Sequence, residues 1–550
     1  MSERGNPQTC PQAVGGRAPD VFTRGGWVPM HEYDDDDLVD FVIIGTGAGG
    51  ATLAAKLAEA DFSIVAMDAG PFWRPLEDFA SDEKAQTKLY WTQDRISVGE
   101  NPIEFGANNS GRSVGGSTVH FQMVTLRWRP EWFAAKTKLG YGRDWPIDWK
   151  EMWRYYDEVE DALKISGPVR YPWGPPRGRY PYREHEINAS GLVLAKGAEA
   201  LGVKWCATPL ATLSAPRGRA HPCVYRGFCK VGCSTNAKQS ALNTYIPRAL
   251  AAGAEIRDLA TVAQIEIGKD GLATGVVYHR DGRWRRQRAR NVIIAGYAIE
   301  TPRLLLHSAC TKFPDGLANS SGLVGKALMS HSNHAVWGVM QDEIRWYKGP
   351  PSMAVCEHWN YEDKGKDFVG GYAFMSQGPL PADHAKALVS NTGMFGMELR
   401  QRMGLYNHMA GLKIVGETQP DENNQVELSD EVDELGIPLP KITFSFSEND
   451  KRLYKHSLRF MRQMLEAAGA SDFTETESTA HLMGGCRMGT SPTDSVVNAD
   501  GRTWDIRNLW IGDASVFPTS GGVNPSLTVY ALAARMADRI TEMAGRGELQ

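Results

Sequence analysis

Two stretches of the chain carry residue types at spacings that could do chemistry, and the first is a glycine motif. Gly45-Thr-Gly-Ala-Gly-Gly50 is a GxGxxG sequence, and Asp68 stands 23 residues after Gly45. In such a motif Gly45 allows a tight turn, Gly47 lets the backbone approach a diphosphate, and Gly50 lets a helix pack close to a strand. The diphosphate would lie at a helix N-terminus, and Asp68 would accept hydrogen bonds from ribose hydroxyls. The motif predicts a bound dinucleotide but does not separate FAD from NAD.

The second stretch is a group of three cysteines, Cys223, Cys229 and Cys233, which fall within eleven residues. Thiolates at short spacings hold iron–sulfur clusters, and three of them would suffice for a three-iron cluster. Cys206 could be a fourth ligand only if the chain folded back. Zinc would lack a clear fourth ligand. A disulfide between two of the three and a purely structural loop are the other interpretations.

The glycine motif stands where a β-α-β unit requires it. Leu38 to Ile44 is an apolar, β-branched run, which is typical of a buried parallel strand. Ala51 to Ala60 has helix-forming composition, and Ser63 to Met67 predicts a second buried strand. Farther along, Thr261 to Ala295 alternates and contains two probable turns, which predicts an antiparallel meander, and Ile299 to Ser308 predicts a helix.

A second lobe is indicated between residues 330 and 450, where segments alternate and are rich in aromatic residues. We expect His334 to Met340, Leu412 to Thr418 and Lys441 to Phe446 to form strands of one antiparallel sheet. Glu448 to Ala468 follows as an amphipathic helix. The residues that line a substrate pocket should come from this lobe, but they carry no motif that identifies the substrate.

Length and composition exclude several classes of protein. A chain of 550 residues exceeds the size of one hydrophobic core, so we expect two lobes built from interleaved segments. The net charge is −5 and no basic tract occurs, so a nucleic-acid partner is not expected. Apolar stretches are broken well before 18 residues, so no membrane span is expected. The N-terminus resembles no secretory signal, which makes the cytoplasm the default location.

The whole chain resembles the glucose-methanol-choline (GMC) oxidoreductases. The motifs occur in family order over roughly residues 38 to 545. Weaker phrases, such as Arg143-Asp-Trp-Pro-Ile147, make the chain look closest to the large subunits of bacterial sugar and alcohol dehydrogenases. The motifs that carry the resemblance are the Gly45 unit with Met67-Asp-Ala-Gly-Pro71, Val114-Gly-Gly-Ser-Thr118, Ile293-Ile-Ala-Gly296, Val324-Gly-Lys-Ala-Leu-Met-Ser-His331, His481-Leu-Met-Gly-Gly-Cys-Arg-Met-Gly489, Asn508-Leu-Trp-Ile-Gly-Asp-Ala-Ser-Val-Phe-Pro518 and Gly522-Val-Asn-Pro-Ser-Leu-Thr-Val-Tyr-Ala531.

The resemblance implies a mixed α/β (α+β) fold: a Rossmann-like FAD-binding domain and a substrate domain on an antiparallel sheet. We expect the FAD-binding domain to be discontinuous, over residues 38–140, 225–330 and 480–550. The substrate domain, with the cysteine segment as an insertion, would take residues 141–224 and 331–479. Residues 1–37 would be an N-terminal extension on the surface, with a floppy tail as the alternative.

The resemblance also implies FAD as the cofactor, bound along the glycine motif and Asp68. The further positions that match cofactor-binding residues of the family are Gly115, Gly116 and Ser117 near the flavin, Val262 at the adenine, Asp513 and Ala514 near the pyrophosphate and ribityl chain, and Asn524 and Pro525. His120 matches a histidine that carries the flavin through its 8α-methyl in choline-oxidising and pyranose-oxidising members. Covalent attachment and a histidine hydrogen-bonded near the flavin are both compatible with this position.

His481 matches the catalytic histidine of the family. Removing a hydride from a carbinol carbon requires the hydroxyl proton to leave as well, and histidine is the usual base near neutral pH. The partner position, histidine or asparagine in the family, is Asn524, whose amide could donate to the developing alkoxide and to the flavin ring. We expect the substrate oxygen between these two side chains and the carbinol hydrogen aimed at flavin N5. Without the resemblance, a core histidine would be the ordinary interpretation of His481.

The sequence therefore predicts an FAD-dependent dehydrogenase that oxidises an alcohol or sugar hydroxyl and passes electrons to an external acceptor. The alternatives are an oxidase giving hydrogen peroxide, a lyase that keeps FAD as a scaffold, and a non-catalytic dinucleotide-binding subunit. In the multi-component sugar dehydrogenases a similar but denser cysteine segment holds a cluster that relays electrons to a cytochrome. A cluster at Cys223, Cys229 and Cys233 would thus go with a cytochrome or small-subunit partner, and a signal-bearing partner could carry the protein to the periplasm.

Overall fold

The structure is a computed structural model, and it describes residues 16–91, 93, 95–105 and 110–549. The strands, in chain order, are β1 (Arg17–Pro19), β2 (Trp27–Pro29), β3 (Leu38–Ile44), β4 (Ile64–Met67), β5 (Ile96–Val98), β6 (Ser166–Gly167), β7 (Tyr182–Arg183), β8 (Cys206–Ala207), β9 (Glu255–Arg257), β10 (Thr261–Ile267), β11 (Ala273–Arg280), β12 (Arg283–Ile294), β13 (Met329–Ser332), β14 (Ala335–Val339), β15 (Ala354–Cys356), β16 (Tyr372–Gln377), β17 (Met409–Gly416), β18 (Gln425–Val432), β19 (Pro438–Thr443), β20 (Ser471–Thr476), β21 (Thr479–Met483) and β22 (Leu509–Ile511). The α-helices are α1 (Ala48–Glu59), α2 (Pro75–Asp78), α3 (Trp149–Ala162), α4 (Ala189–Ala200), α5 (Tyr245–Ala251), α6 (Tyr297–His307), α7 (His358–Tyr361), α8 (Pro381–Thr392), α9 (Gly396–Gly404), α10 (Glu448–Ala468) and α11 (Ser526–Gly545).

The first large sheet contains the predicted β-α-β unit and has the strand order β10-β11-β12-β3-β4-β9, with β22 also paired to β12. Strand β12 is long because it takes part in both antiparallel and parallel strand pairing. Its first half pairs antiparallel with β11, and its second half runs parallel to both β3 and β22. The meander and the buried parallel strands predicted from the sequence are therefore parts of one sheet. Helices α1, α5 and α11 pack together beside it.

The second large sheet is antiparallel, in the order β20-β14-β17-β16-β15-β8, and the pair β13–β21 joins it at β17. Helices α4 and α10 pack on this sheet. Apolar side chains of α10, such as Leu453 and Met461, are fully buried in the core beneath it. The predicted fold class, an α/β cofactor domain with a substrate domain on an antiparallel sheet, is confirmed.

One predicted strand lies in a different sheet. Lys441 to Phe446 was assigned to the second large sheet, but β19 belongs to a separate three-stranded sheet, β18-β19-β5. There it pairs antiparallel with β18 and parallel with Ile96–Val98, more than 300 residues earlier in the chain. Alternation of apolar and polar residues identifies a strand and its buried face, but it does not name the strand's partner.

The described part of the N-terminal extension is packed and is not a loose tail. Strands β1 and β2 form a hairpin, and Ala18, Val21 and Met30 are buried in the main core. Asp35 pairs with Arg257 of β9 at 3.1 Å, which ties the segment to the first sheet. Residues 1–15 lie outside the described residues. Among the helices that the structure describes, none is both long and apolar enough to cross a membrane.

Candidate active site

A cavity of about 340 Å³ is lined by residues of both large sheets, and this volume is in the range of small-molecule sites. Most of the predicted cofactor positions line it together with both predicted catalytic residues. These lining residues are Gly45, Gly47, Asp68, Gly116, Ser117, His120, Val262, His481, Asp513, Ala514, Asn524 and Pro525. Segments almost 500 residues apart in sequence are thus brought to one site.

Two glycine turns form a bare backbone cradle at one end of the cavity. Gly45 has φ +94°, and a Cβ there would lie 2.4 Å from the carbonyl oxygen of Ala295. A Cβ at Gly116 would lie 2.7 Å from the Cα of Gly47, so the two turns are in contact. A Cβ at Gly47 would meet nothing closer than 3.8 Å and would occupy the cavity itself. This backbone at the start of α1 fits a diphosphate.

Gly50 and Gly115 do not line the cavity and act through packing instead. A Cβ at Gly50 would lie 1.9 Å from the carbonyl oxygen of Gly45, so only glycine lets α1 approach the turn. Gly115 has φ +93°, and its N–H donates to the carbonyl of Thr46 at 3.1 Å. It therefore joins the second glycine turn to the first.

Asp68 lies at the end of β4, in the cavity wall. Its carboxylate accepts hydrogen bonds from the Thr46 hydroxyl (2.6 Å), the Thr46 amide (3.0 Å) and the Gly70 amide (2.9 Å). Burial raises the pKa of this carboxyl to about 6, against the lowering effect of those hydrogen bonds. Its position is compatible with the predicted contact to ribose hydroxyls.

Asp513 holds the loop that follows β22. One carboxylate oxygen accepts from the Thr301 hydroxyl (2.6 Å) and from the Tyr297 amide (2.9 Å), and the other accepts from the Ser515 amide (2.7 Å). These bonds join the start of α6 to the Asp513–Ala514 turn. Burial raises the pKa of the Asp513 carboxyl.

His481 owes its orientation to a β-bulge. In the β13–β21 pair, Ser330 lies opposite Leu482 and His331 lies opposite Ala480, so His481 is the extra residue between two paired positions. Its φ is +62°, in the left-handed region that side-chain-bearing residues rarely adopt. Bulges next to active sites re-aim side chains in this way, at a cost in backbone strain.

A chain of hydrogen bonds fixes which nitrogen of His481 carries the proton. Nε2 of His331 lies 2.8 Å from the Gly521 carbonyl and 3.1 Å from the Ser520 carbonyl, so it must carry a hydrogen and donate. Nδ1 of His331 is then an acceptor, and Nδ1 of His481, 3.0 Å away, donates to it. Nε2 of His481 is therefore left with its lone pair, and it accepts from the Asn524 amide at 3.2 Å.

Burial also keeps His481 neutral. It is the largest cause of a pKa well below the usual value, and the neighbouring His331 and Lys413 lower the pKa further. The pKa of His331 is lowered to about 4, also mainly by burial. A neutral imidazole with a free Nε2 lone pair is the form that can take a proton.

Asn524 stands in the Gly521–Pro525 turn before α11, and polar contacts hold this turn on both sides. The Ser520 hydroxyl donates to the Thr418 carbonyl (2.9 Å) and accepts from the Thr418 amide (3.0 Å). The Asn360 amide donates to the Gly522 carbonyl at 3.0 Å. The Asn524 side chain is thereby held beside His481.

His120 lines the cavity at the end of the second glycine turn. Its ring packs edge-on against Tyr90, with centroids 5.0 Å apart. The cysteine segment is tied to this turn by buried Lys238. Its ammonium donates to the carbonyl oxygen of Val119 at 2.6 Å and also to the carbonyl oxygen of Cys229. The cysteine segment therefore packs directly behind His120.

The cysteine segment contains no disulfide between the residues that the structure describes, so that interpretation is wrong. Within the described ranges, no group of three or more His, Cys, Asp or Glu residues is placed to hold a metal ion. Burial raises the pKa of Cys229 to about 12 and also raises that of Cys223, which favours thiols over the thiolates that bind iron. Cys223, Cys229 and Cys233 do not line the cavity, whereas Lys230, from the same segment, does.

The end of the cavity that contains His481 and Asn524 is called the reaction end. Several of its residues were not identified from the sequence. They are Gln122, Asn333, Met375, Gln377 and Lys413, which line the cavity, and His331 behind His481. Lys413 was detectable as the one charged residue in the apolar strand Met409–Gly416. Two large aromatic residues of the second lobe, Trp346 and Trp359, do not line the cavity and are buried in two separate core clusters.

Comparison with known proteins agrees with this geometry. The GMC oxidoreductase models match residues 39–333 and 420–533. The chain is 33% identical to a 2-methyl-1,2-propanediol dehydrogenase of Mycolicibacterium austroafricanum, over 92% of this chain and 95% of the relative. It is 30% identical to the fructose dehydrogenase large subunit of Gluconobacter japonicus (91% and 97%) and 29% identical to paromamine 6'-oxidase of Streptomyces fradiae (94% and 93%).

Structure comparison gives the same fold. A formate oxidase of Aspergillus oryzae, solved as the R554A variant, superposes with a TM-score of 0.67 at 15% identity, covering 94% of this chain and all of that one. The chain belongs to the GMC oxidoreductase family. It is an FAD-dependent oxidoreductase that acts on CH–OH groups, and both dehydrogenases and oxidases are among its relatives.

Proposed function

We propose that this enzyme oxidises an alcohol or sugar hydroxyl with His481 as the base, and that Nε2 is the atom that takes the proton. The observation that carries the proposal is the relay from the Ser520 and Gly521 carbonyls through His331 to His481, which leaves Nε2 unprotonated beside Asn524. FAD, when bound, accepts the hydrogen and electron pair of the carbinol carbon.

The side chains divide the work at the substrate oxygen. The hydroxyl proton moves to Nε2 of His481 as the alkoxide develops, and the Asn524 amide, now 3.2 Å from Nε2, turns its N–H toward that oxygen. The imidazolium formed keeps its Nδ1 hydrogen bond to His331. His331 contacts no substrate in this scheme and is a positioning residue. The largely apolar wall around His481 lowers the local polarity in which the proton transfer takes place.

We propose FAD binding by the glycine turns, Asp68, Val262 and the Asp513–Pro525 segment. The two turns in contact and the exposed backbone at Gly47 support a diphosphate there. Covalent attachment at His120 belongs to the same proposal, and the support for it is that His120 lines the cavity beside Ser117. Acid precipitation tests it: flavin that stays with the pellet in wild type and is released from His120→Ala supports the bond, and release from both contradicts it.

We propose that electrons leave to an external acceptor other than oxygen. The support is that two of the similar relatives are named dehydrogenases, one of them a large subunit, which favours a small-subunit or cytochrome partner. The proposed location is the cytoplasm, or the periplasm where such a partner carries the enzyme there. A cluster at Cys223, Cys229 and Cys233 would serve the same transfer, but burial raises the pKa of Cys223 and of Cys229, which favours a structural loop. Iron analysis of the purified protein decides between the two.

The deciding experiment is anaerobic mixing of the purified FAD enzyme with a panel of alcohols and sugars while the flavin absorbance is recorded. Bleaching by at least one alcohol is expected, with no bleaching in His481→Ala. Reoxidation is then compared between dioxygen and an artificial electron-accepting dye. Fast reoxidation by oxygen with peroxide release would contradict the dehydrogenase proposal. Turnover of an alcohol without bleaching would indicate a lyase.

A further inference from the structure

The reaction end of the cavity contains a half-buried lysine to which the proposed chemistry assigns no role. Lys413 lies in the middle of β17, directly opposite Met375 of β16, and both side chains line the cavity. Gln377, two residues beyond Met375, lines the same face. The strand pairing therefore aims the lysine at the space in front of His481 and Asn524.

Lys413 has few partners in the protein. With the Asn333 amide oriented to donate to the Ile414 carbonyl (2.9 Å), its oxygen accepts from Nζ of Lys413 at 3.2 Å. No ion pair joins Lys413 to any carboxylate among the residues described. The acids that line the cavity, Asp68, Glu300, Asp433 and Asp513, belong to its other end, with the first sheet and α6. An ammonium that has lost part of its hydration and has one neutral hydrogen-bond partner is stabilised when an anion comes to lie beside it.

A second cation reaches the same region from the cysteine segment. Lys230 lines the cavity, and its charge lowers the pKa of Lys413. Lys230 is itself paired at 3.9 Å with Asp383, at the start of α8. This leaves Lys413 as the cation that is not matched by a carboxylate and faces the substrate space, while Gln122, Gln377 and Asn333 offer neutral hydrogen bonds around it.

We propose that Lys413 is the binding site for a carboxylate group of the substrate, so that the enzyme acts on a hydroxyl of a carboxylate-bearing alcohol or sugar acid. The inference rests on the proposed function, because it places this anion beside the oxidised hydroxyl. A single ammonium with neutral amides suits a singly charged carboxylate, whereas a phosphate would call for arginine or more than one free cation.

The electrostatics predict how binding depends on pH. Burial and Lys230 lower the pKa of Lys413 to about 7, and Asp383 opposes this. Lysine binds an anion only when protonated, so carboxylate affinity is full below this pKa and falls about tenfold per pH unit well above it. His481 and His334, which also face Lys413, both have lowered pKa values and stay neutral through this window, so they add no anion-binding charge.

Binding is measured first, because it does not depend on turnover. Benzoate, a carboxylate with no hydroxyl to oxidise, is titrated into the FAD enzyme and the flavin spectrum reports its Kd between pH 6 and 9. In Lys413→Met we expect the Kd to rise at least 30-fold at pH 6.5, and in Lys413→Arg we expect tight binding without the loss above pH 7. Lys441→Met, which removes an exposed strand lysine of β19, is the matched control and should leave the Kd unchanged.

Turnover is then compared between two matched substrates, 4-(hydroxymethyl)benzoate and 4-methylbenzyl alcohol. Wild type should favour the carboxylate in kcat/KM by at least tenfold, and Lys413→Met should lose this preference, so that the ratio of the two kcat/KM values falls toward one. Flavin content and Tm verify that each variant is folded. Equal loss for both substrates, or benzoate binding that ignores Lys413, overturns the inference. If no alcohol reduces the flavin while benzoate still binds through Lys413, the proposed function fails and the carboxylate site stands.

Discussion

The two ends of the cavity are built in different ways. The cofactor end is centred on one contiguous stretch, Leu38 to Asp68, whose strand, turn, helix and strand follow one another within 31 residues, and the second glycine turn, Val262 and the Asp513 turn complete it. The reaction end takes His331, Lys413, His481 and Asn524 from four separate elements, and no two of them are closer than 43 residues in sequence. At the first end backbone geometry does the binding, and at the second end side chains do the chemistry.

This difference determines how each end should respond to mutation. At the cofactor end the groups that act are backbone N–H groups, so a substitution acts by adding atoms where none fit. At the reaction end each side chain is oriented by another one, so a substitution acts by removing a partner from the relay. The first kind of change should alter FAD affinity and folding, and the second should alter the rate.

The largest effect is expected for His481→Ala. Loss of the base should lower kcat for alcohol oxidation by about 10³-fold, the size of a general-base contribution. FAD content should stay at the wild-type level, because His481 lies away from the glycine turns. Stopped-flow reduction of the flavin measures the rate directly. A fall of less than tenfold would show that another group takes the proton.

The next effect is expected at the glycine turns, where two neighbouring positions give a matched pair. Gly47→Ala would place its Cβ in the cavity without meeting protein atoms, so it should weaken FAD binding by about 1–3 kcal/mol, or up to about 150-fold in Kd, and leave apoprotein stability intact. Gly50→Ala would place its Cβ 1.9 Å from the Gly45 carbonyl and should lower the free energy of unfolding as well. FAD titration and thermal unfolding of both apoproteins separate the two outcomes. Equal destabilisation by both variants would contradict the assignment of Gly47 to the cofactor.

A smaller effect is expected for His331, which acts only through His481. His331→Leu removes the acceptor for Nδ1–H, so kcat should fall by roughly 10- to 100-fold, within the range for misoriented catalytic groups. Loss of this acceptor also disfavours the imidazolium, so the pKa of His481 should fall and the acid limb of the kcat/KM profile should move to lower pH.

His331→Asn is the control for this interpretation. Its side-chain oxygen can accept the same hydrogen, so activity should recover to within about fivefold of wild type. A purely structural role would give two variants with equally low activity and unshifted pH profiles.

The smallest effect is expected for Cys229→Ser, behind the cofactor end. If the segment is a structural loop, alcohol oxidation, flavin content and iron content should all stay within about twofold of wild type, since a buried Cys-to-Ser change alters only a weak donor. Iron lost from the variant together with slower electron transfer to an acceptor would instead make this residue a cluster ligand.

Much of the cofactor end could be predicted from the sequence because its signals are local. Strand β3 has the predicted bounds Leu38–Ile44, and the glycines of the motif lie in the turn where their spacing placed them. In the second lobe, helix α10 also has the predicted bounds, Glu448–Ala468. The periodic spacing of apolar residues in a strand or helix, and the need for glycine in a tight turn, involve only a few neighbouring residues. Both can therefore be recognised without knowing how the rest of the chain folds. The pairing of β19 with β5 has no such signal, since the partner is far away in sequence.

The reaction end was predicted only through family motifs, and only in part. His481 and Asn524 could be placed by resemblance, but the residues that give them their chemistry could not. His331 orients the base through a hydrogen bond, and this bond forms because β13 pairs with β21 and a bulge in that pair turns His481 toward it. The sequence shows only that Lys413 is a lysine in an apolar strand. The pairing of this strand with β16 is needed to show which face of the sheet the lysine occupies.

The sequence by itself determined the cofactor-binding turn and the class of fold, because these depend on residue type and short spacing, while His481 was identified as the proposed base through the family motif. Only the tertiary structure decided the protonated nitrogen of His481, the charge at Lys413 that no carboxylate pairs with, and the burial of the cysteine segment. Each of these is set by distances and burial between groups that are remote in sequence. Hydrogen-bond direction and desolvation act through space over a few ångströms, and the order of residues along a chain does not contain those distances.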